Sequence, residues 1–346
     1  MERERLRQLV TDFSKTKIAV IGDLCLDRYG TGTMEGIARE APVPIVRLRG
    51  SGTDVYSPGG GANVCANVAD LGPKTYPITV LGDDLHGFEL TRQLERRGMD
   101  TRFIFKDEAR VTPTFEKFFA SAHGSPVQQV SLVNIENSNR IGAESEERIL
   151  DALDRARDIV DAVIVADYAD NPGTWVVTER ILERLTSLGK ETDLPIISDS
   201  RTRIELFRNT TAVPNEYEAT VATGLYEENM GGLPPDPVVD KAGNLLSERL
   251  GKPSFVTRGP KGISIHHDGG IDRLETVEIE GEIDTCGAGD TVDAGVAAAL
   301  ASGSTLMEAA AIGDMAAKIT IKKIGTTGTA TPEEIMAFFE KHMVKR

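Results

Sequence analysis

The chain has 346 residues, 40% hydrophobic and 27% charged, a composition ordinary for a globular protein with room for a large α/β unit. Its net charge of −15 argues against a general affinity for nucleic acid or an anionic membrane surface, although a local anion hole with Mg²⁺ can still hold a phosphate ligand. No apolar run approaches the roughly 20 residues of a membrane span; the charged start leads into no signal core, and Cys25, Cys65 and Cys286 are too scattered for a zinc motif, so free thiols and a cytoplasmic location are expected.

Lys17-Ile-Ala-Val-Ile-Gly22 reads as a buried strand. Gly22-Asp-Leu-Cys-Leu-Asp-Arg-Tyr29 follows, with Asp27 placed where a carboxylate can grip hydroxyl groups. Pro58-Gly-Gly-Gly-Ala-Asn63 then opens a helix over 62–71. Its consecutive glycines, Gly59 and Gly60 among them, allow close backbone approach to a ligand. Asn63 and Asn67 share one helical face, and their amides suit a hydroxyl-rich molecule. A Gly-rich turn with a polar helix face is the purely structural alternative.

Segments 101–105, 114–119 and 127–135 are β-like runs with no helix between them. Together with 30–55 they predict a small antiparallel sheet projecting from the core. Ala162–Asp167 and Pro195–Asp199 are strands that each end in an aspartate, and helical spacing runs from Trp175 to Leu188 between them. Strand–helix alternation of this kind predicts a doubly wound, mostly parallel α/β sheet, with ligands at the carboxyl ends of the strands. Those two aspartates therefore point toward a site.

Asn215-Glu-Tyr-Glu218 begins a short helix after the strand-like 211–214 and is also an ordinary capping arrangement. Ser254–Thr257 is another strand, and Gly259 and Gly262 after it read as a hairpin turn. Thr331-Pro-Glu-Glu334 is a structural helix start. His86, His123, His266, His267 and His342 have no metal-ligand spacing and read as surface or loop residues.

The most informative segment is Asp284-Thr-Cys-Gly-Ala-Gly-Asp290, which runs into an Ala-rich helix. Gly287, Ala288 and Gly289 expose backbone N–H groups at a helix N-terminus, a place that attracts anions. Asp290, in the first turn, can take a proton beside that anion hole.

This string resembles the C-terminal signature of the ribokinase-like (PfkB) carbohydrate kinases, and the resemblance covers about residues 15 to 336. It implies one kinase domain over 1–346, with a β lid from about 30–55 and 101–136 over the sugar. It also implies a homodimer formed through that lid. The activity it implies is transfer of the γ-phosphate of ATP to a sugar hydroxyl. Asp290 is then the general base, and Gly287, Ala288 and Gly289 form the anion hole. Asp27, Gly59, Gly60, Asn63 and Gln128 bind the sugar. Asn215, Thr257, Gly259, Gly262 and Asp314 bind the nucleotide, and Glu218 organises Mg²⁺. A monovalent cation beside Asp284 and the 322–328 loop is allowed by the same analogy.

Within the superfamily, Asp12-Phe-Ser14, Glu40-Ala-Pro-Val-Pro-Ile45, Gln128-Gln129 and Lys323-Ile-Gly-Thr326 are similar to the heptose-7-phosphate kinase branch. The chain departs from that branch near Ser131 or Leu132, at Asn134 and at Asp170. These changes remove basic groups and add an acid, which takes away partners for an acceptor phosphate. Asp314 stands where the branch has Asn. A kinase of another sugar, nucleoside or sugar acid is the alternative within the family. Outside it, a non-catalytic sugar or nucleotide sensor and an assembly subunit stay open.

Overall fold

The structure is a computed structural model describing residues 1–346 apart from 123, 169–170, 172, 228–231, 326 and 344–346. The expectations for His123, Asp170 and Thr326 fall outside the described residues.

Two sheets organise the chain. The larger contains β1 (Lys17–Gly22), β5 (Lys74–Gly82), β6 (Ile104–Asp107), β9 (Ala162–Asp167), β10 (Ile196–Ser200), β11 (Thr211–Ala212), β12 (Ser254–Thr257), β13 (Ile263–His267) and β14 (Gly270–Leu274). Their spatial order is β14-β13-β12-β11-β10-β9-β1-β5-β6, parallel throughout except for the antiparallel end β12-β13-β14. The smaller sheet has the order β3-β2-β7-β8, with β4 also paired to β2. Its strands are β2 (Leu24–Ile37), β3 (Pro44–Arg47), β4 (Asp54–Gly60), β7 (Thr114–Ser121) and β8 (Gln128–Ile135).

The central strands are apolar on both faces because both faces are covered. Ile18 and Val20 of β1 point into one apolar core, and Ala19 and Ile21 point into the other. The first core is closed by α1 (Arg3–Asp12), α2 (Gly61–Leu71), α3 (Leu85–Arg96), α8 (Ala288–Ala301), α9 (Leu306–Thr320) and α10 (Pro332–His342). The second is closed by α4 (Ala143–Arg157), α5 (Glu179–Glu191), α6 (Glu216–Ala222) and α7 (Asp236–Leu250). The doubly wound sheet is thus the observed architecture. No helix among the described residues is long and apolar enough to cross a membrane.

Three expectations need correction. Segment 101–105 does not join the small sheet: β6 pairs in parallel with β5 at the edge of the large one. The small sheet is mixed rather than antiparallel, since β2 and β7 run parallel. His266 is no surface residue. It is fully buried, bonded to Ser264 and Asn244, and sits where a side chain at Gly243 of α7 would collide with its ring. Burial pushes its imidazole down to about 4, so it is neutral near pH 7.

Candidate active site

The start of α8 lies between two cavities that share Gly289 as a lining residue. Gly287 is the N-cap of α8 with φ 77°, a left-handed conformation that suits glycine. A Cβ there would also come within 2.6 Å of the Asn63 amide nitrogen. The first cavity, of about 410 Å³, is lined by Asp27, Gly60, Lys117, Asn134, Gly287 and Asp290, among others. The second, of about 350 Å³, is lined by Thr257, Gly259, Gly262, Ala288 and Asp314, among others.

Asp290 is half-buried where the first cavity meets the helix. Asn63 donates to its Oδ2 at 2.6 Å, and the Tyr168 hydroxyl donates to its Oδ1 at 3.0 Å. Burial pushes its carboxyl up to about 6, against the opposing pull of those two donors and of Arg201. A carboxylate of that strength is ionised near pH 7 and accepts a proton readily. Behind it, Asn67 donates to the Asn63 carbonyl at 3.0 Å and accepts from Thr291 at 3.0 Å, so the Asn63 side chain is held on buried polar supports. Asn63 therefore faces the Asp290 carboxylate and does not line the open cavity.

The far wall of the first cavity comes from the small sheet. Period-two geometry puts Asp27, Phe115, Lys117, Leu132 and Asn134 on one face, and all five line the cavity. Asp27 is buried, and its Oδ2 accepts from Tyr29 at 2.9 Å and from Lys117 at 3.0 Å. Its Oδ1 lies where a Cβ on Gly59 would sit 2.8 Å away, so that glycine makes room for the carboxylate. Gln128 does not line the cavity. The register shifts between Phe118 and Phe119, pairing Phe119 with Gln129 and Ala120 with Gln128, so this irregularity moves Gln128 to the other face.

Of the two strand-ending aspartates, only Asp199 reaches Asp290's surroundings. Its Oδ2 lies 2.6 Å from the Tyr168 hydroxyl, whose single proton it shares with Asp290, and burial, then the charge of Glu218, pushes its carboxyl up to about 7. Asp167 is structural, since Arg203 grips both of its oxygens at 2.6 and 2.8 Å. Asn215 and Glu218 form a capping box on α6 and line neither cavity. Burial nonetheless raises the Glu218 carboxyl, with Arg201 acting against it, so Glu218 belongs to the same electrostatic neighbourhood as Asp199 and Asp290. Among the described residues no three metal-ligating side chains gather, so a carboxylate such as Glu218 suits Mg²⁺ only with phosphate oxygens and water as its remaining ligands.

In the second cavity Thr257, Gly259 and Gly262 come from the β12–β13 hairpin, so the turn reading and the ligand-side reading of those glycines describe one feature. The N-terminus of α8 lies at the same cavity; its Ala288 N–H donates to the Thr285 carbonyl at 3.2 Å, and such a helix start suits a phosphate group. Asp314 and Lys318 are buried and paired at 2.8 Å, and Thr276 donates to Asp314 at 2.6 Å.

Sequence reasoning had no role for Lys117, Arg110, Asp23 or Tyr168. Asp23 accepts from the Tyr168 and Val176 backbone amides at 3.1 and 2.9 Å and so fixes the loop that carries Tyr168. For Lys117, its two-residue spacing from Phe115 was the available signal.

Comparison with known proteins agrees with this geometry. Residues 15–334 match the pfkB family carbohydrate kinase model. The chain is 31% identical over 340 residues to the bifunctional protein HldE of Geotalea uraniireducens (strain Rf4), covering 97% of this chain and 66% of that protein. It thus spans just under two thirds of that relative's length. Among solved structures, Arabidopsis thaliana ribokinase complexed with ribose and ATP superposes with a TM-score of 0.68 at 18% identity, covering 94% of this chain and 99% of that one. A putative sugar kinase from Clostridium perfringens superposes with a TM-score of 0.72 at 18% identity, covering 95% and 96%. The ribokinase-like fold is shared with both, and the chain belongs to the pfkB family of carbohydrate kinases, phosphotransferases with an alcohol group as acceptor.

Proposed function

We propose that this chain transfers the γ-phosphate of ATP to a hydroxyl of a sugar held in the first cavity, with ATP in the second. The observation that carries this reading is the position of Asp290 next to Gly289, where the two cavities meet. Asp290 takes the proton of the acceptor hydroxyl as that oxygen attacks phosphorus. The backbone N–H groups of Gly287 and Gly289 stabilise the charge of the transferring group, while that of Ala288 donates to the Thr285 carbonyl at 3.2 Å. Asp27, oriented by Tyr29 and Lys117, holds acceptor hydroxyls. Glu218 is the residue that would hold Mg²⁺, which when bound neutralises phosphate charge. A monovalent cation would sit near Asp284, whose carboxylate accepts from the Cys286 and Gly325 amides at 3.0 Å each and so joins the two loops.

Heptose 7-phosphate is the acceptor that the branch resemblance favours. Arg110, Lys117 and Arg201 all line the first cavity, so positive partners for an acceptor phosphate exist despite the departures near 131–134. The test is competition between phosphorylated and unphosphorylated members of each sugar pair. A phosphorylated acceptor with at least tenfold higher kcat/KM supports the reading; equal values contradict it. The small sheet acts as the lid, and its exposed Val133, on the face turned away from the cavity, is suited to a homodimer contact. Light scattering across concentrations that finds only monomer contradicts that contact.

A further inference from the structure

Arg110, Lys117 and Arg201 line the first cavity, and two of these cations are engaged. Lys117 donates to the Asp27 carboxylate at 3.0 Å. Arg201 sits over the Tyr168 ring, 5.2 Å from its centroid, and its charge acts on the Asp290 and Glu218 carboxyls. Arg110 is different. It is 8% exposed, and its Nη2 donates to the Thr174 carbonyl at 3.1 Å. Its buried Nε and Nη1 have no hydrogen-bond partner among the described residues.

The backbone that carries Arg110 is pinned. The Val111 N–H donates to Asn137 Oδ1 at 3.0 Å, Asn137 Nδ2 donates back to the Val111 carbonyl at 2.9 Å, and the Thr112 N–H donates to Asp84 at 2.8 Å. The nearby acids, Asp23 and Asp107, have donors of their own. Asp23 accepts from the Tyr168 and Val176 amides, and Asp107 accepts from the Ser145 hydroxyl and the Ala109 amide. A guanidinium stays charged, and burying one without a counter-charge is costly. An apolar side chain would serve packing better at such a place, so the arrangement points to a ligand that brings the negative charge. The cavity is the side from which that ligand arrives.

We propose that Arg110 is a specificity-determining residue of the first cavity: its unpartnered guanidinium nitrogens seat an oxyanion of the acceptor, while the reacting hydroxyl of the same molecule lies at Asp290. The planar set of N–H groups matches a phosphate or a carboxylate, which share this chemistry. A neutral sugar leaves the buried charge uncompensated. The kinetic part of this inference rests on the kinase reading above; the binding part does not.

The experiment follows the arginine Nε–H resonances of the full chain by nitrogen-15 NMR while inorganic phosphate, or in a second titration acetate, is added without nucleotide. Arg110→Lys identifies the Arg110 signal. A saturable shift of that signal with either anion supports the proposal and names the anion. The same anion should bind Arg110→Met about tenfold more weakly or worse. Binding that leaves the signal unmoved and survives in Arg110→Met belongs to the α8 turn and would overturn the proposal. In kinetics, Arg110→Met should raise the KM of the anionic member of a sugar pair by about tenfold to a hundredfold, with the KM for ATP unchanged and kcat altered by less than about threefold. A neutral sugar as the better acceptor would overturn the anion seat and leave the kinase standing. An Arg110 signal that responds to phosphate in a chain that phosphorylates nothing would keep the seat and sink the kinase reading. The ligand-free Tm of Arg110→Met should be no lower than that of wild type, since a buried charge without a counter-charge is removed. A lower Tm with unchanged anion binding would reduce Arg110 to a structural part and overturn the proposal. Should the Met variant fail to fold, the wild-type titration and the KM of Arg110→Lys, raised about threefold or more by loss of the planar donor set, decide.

Discussion

The side-chain nitrogen of Asn63 on α2 lies 2.6 Å from Oδ2 of Asp290 on α8, joining the Gly-rich turn near residue 60 to the start of a helix 227 residues later. The same amide nitrogen limits what can stand at Gly287. The N-terminal and C-terminal signatures therefore form one structure, with the proposed base as their meeting point.

The first prediction concerns pH. Burial pushes the Asp290 carboxyl up to about 6, and as the proposed base it would act only when ionised. The free-enzyme kcat/KM should fall about tenfold per pH unit below that value. The sign for stability is opposite. Its folded value lies above the ordinary aspartate value of 3.8, so its contribution is fully present below about 4 and is lost as pH rises through about 6. Asp290→Asn, which cannot ionise, should have the same Tm as wild type near pH 4 and a higher Tm well above pH 6, by about 3 kcal/mol in stability. A Tm difference that shrinks with rising pH contradicts the assignment.

Two neighbouring glycines should behave differently. An alanine at 287 meets both a left-handed backbone and the Asn63 nitrogen at 2.6 Å, whereas at 289 a Cβ meets nothing within 4 Å. Gly287→Ala should cost roughly 1–2 kcal/mol in the ligand-free protein as well as activity. Gly289→Ala should leave ligand-free stability within about 0.5 kcal/mol and lower turnover by intruding where the cavities join. Urea unfolding beside steady-state kinetics separates the two effects.

The turn, the start of α8 and the place of Asp290 in its first turn were legible because the motif is local: seven consecutive residues carry all three. The strands that end at Asp167 and Asp199 were legible from apolar runs, but which aspartate reached the site was not, because Arg203 engages one and Tyr168 the other. Gln128 was misplaced by a register shift that only strand pairing reveals. His266 was misread because the space for its ring is made by Gly243 on another element. Lys117 and Asp27 are 90 residues apart, and no local pattern ties them together.

In the second cavity, Lys318→Met would leave the Asp314 carboxylate buried with Thr276 as its one hydrogen-bond partner among the described residues. A loss of about 3 kcal/mol or more in unfolding free energy is expected. Asp314→Leu combined with Lys318→Met should recover much of it, since replacing a buried pair costs less than breaking one. If the single and double variants are equally destabilised, the pair is not coupled as described.

The most direct test of the central claim is ADP release by the full chain with Mg–ATP across a sugar panel, with Asp290→Asn as the control. The panel holds heptose 7-phosphate, ribose, fructose, fructose phosphates, nucleosides and ketodeoxy acids. The account predicts strong turnover with one acceptor class and a fall of about 10²–10⁴-fold in kcat for Asp290→Asn. Turnover that survives in Asp290→Asn, or a folded, ATP-binding protein that phosphorylates no member of the panel, would contradict it.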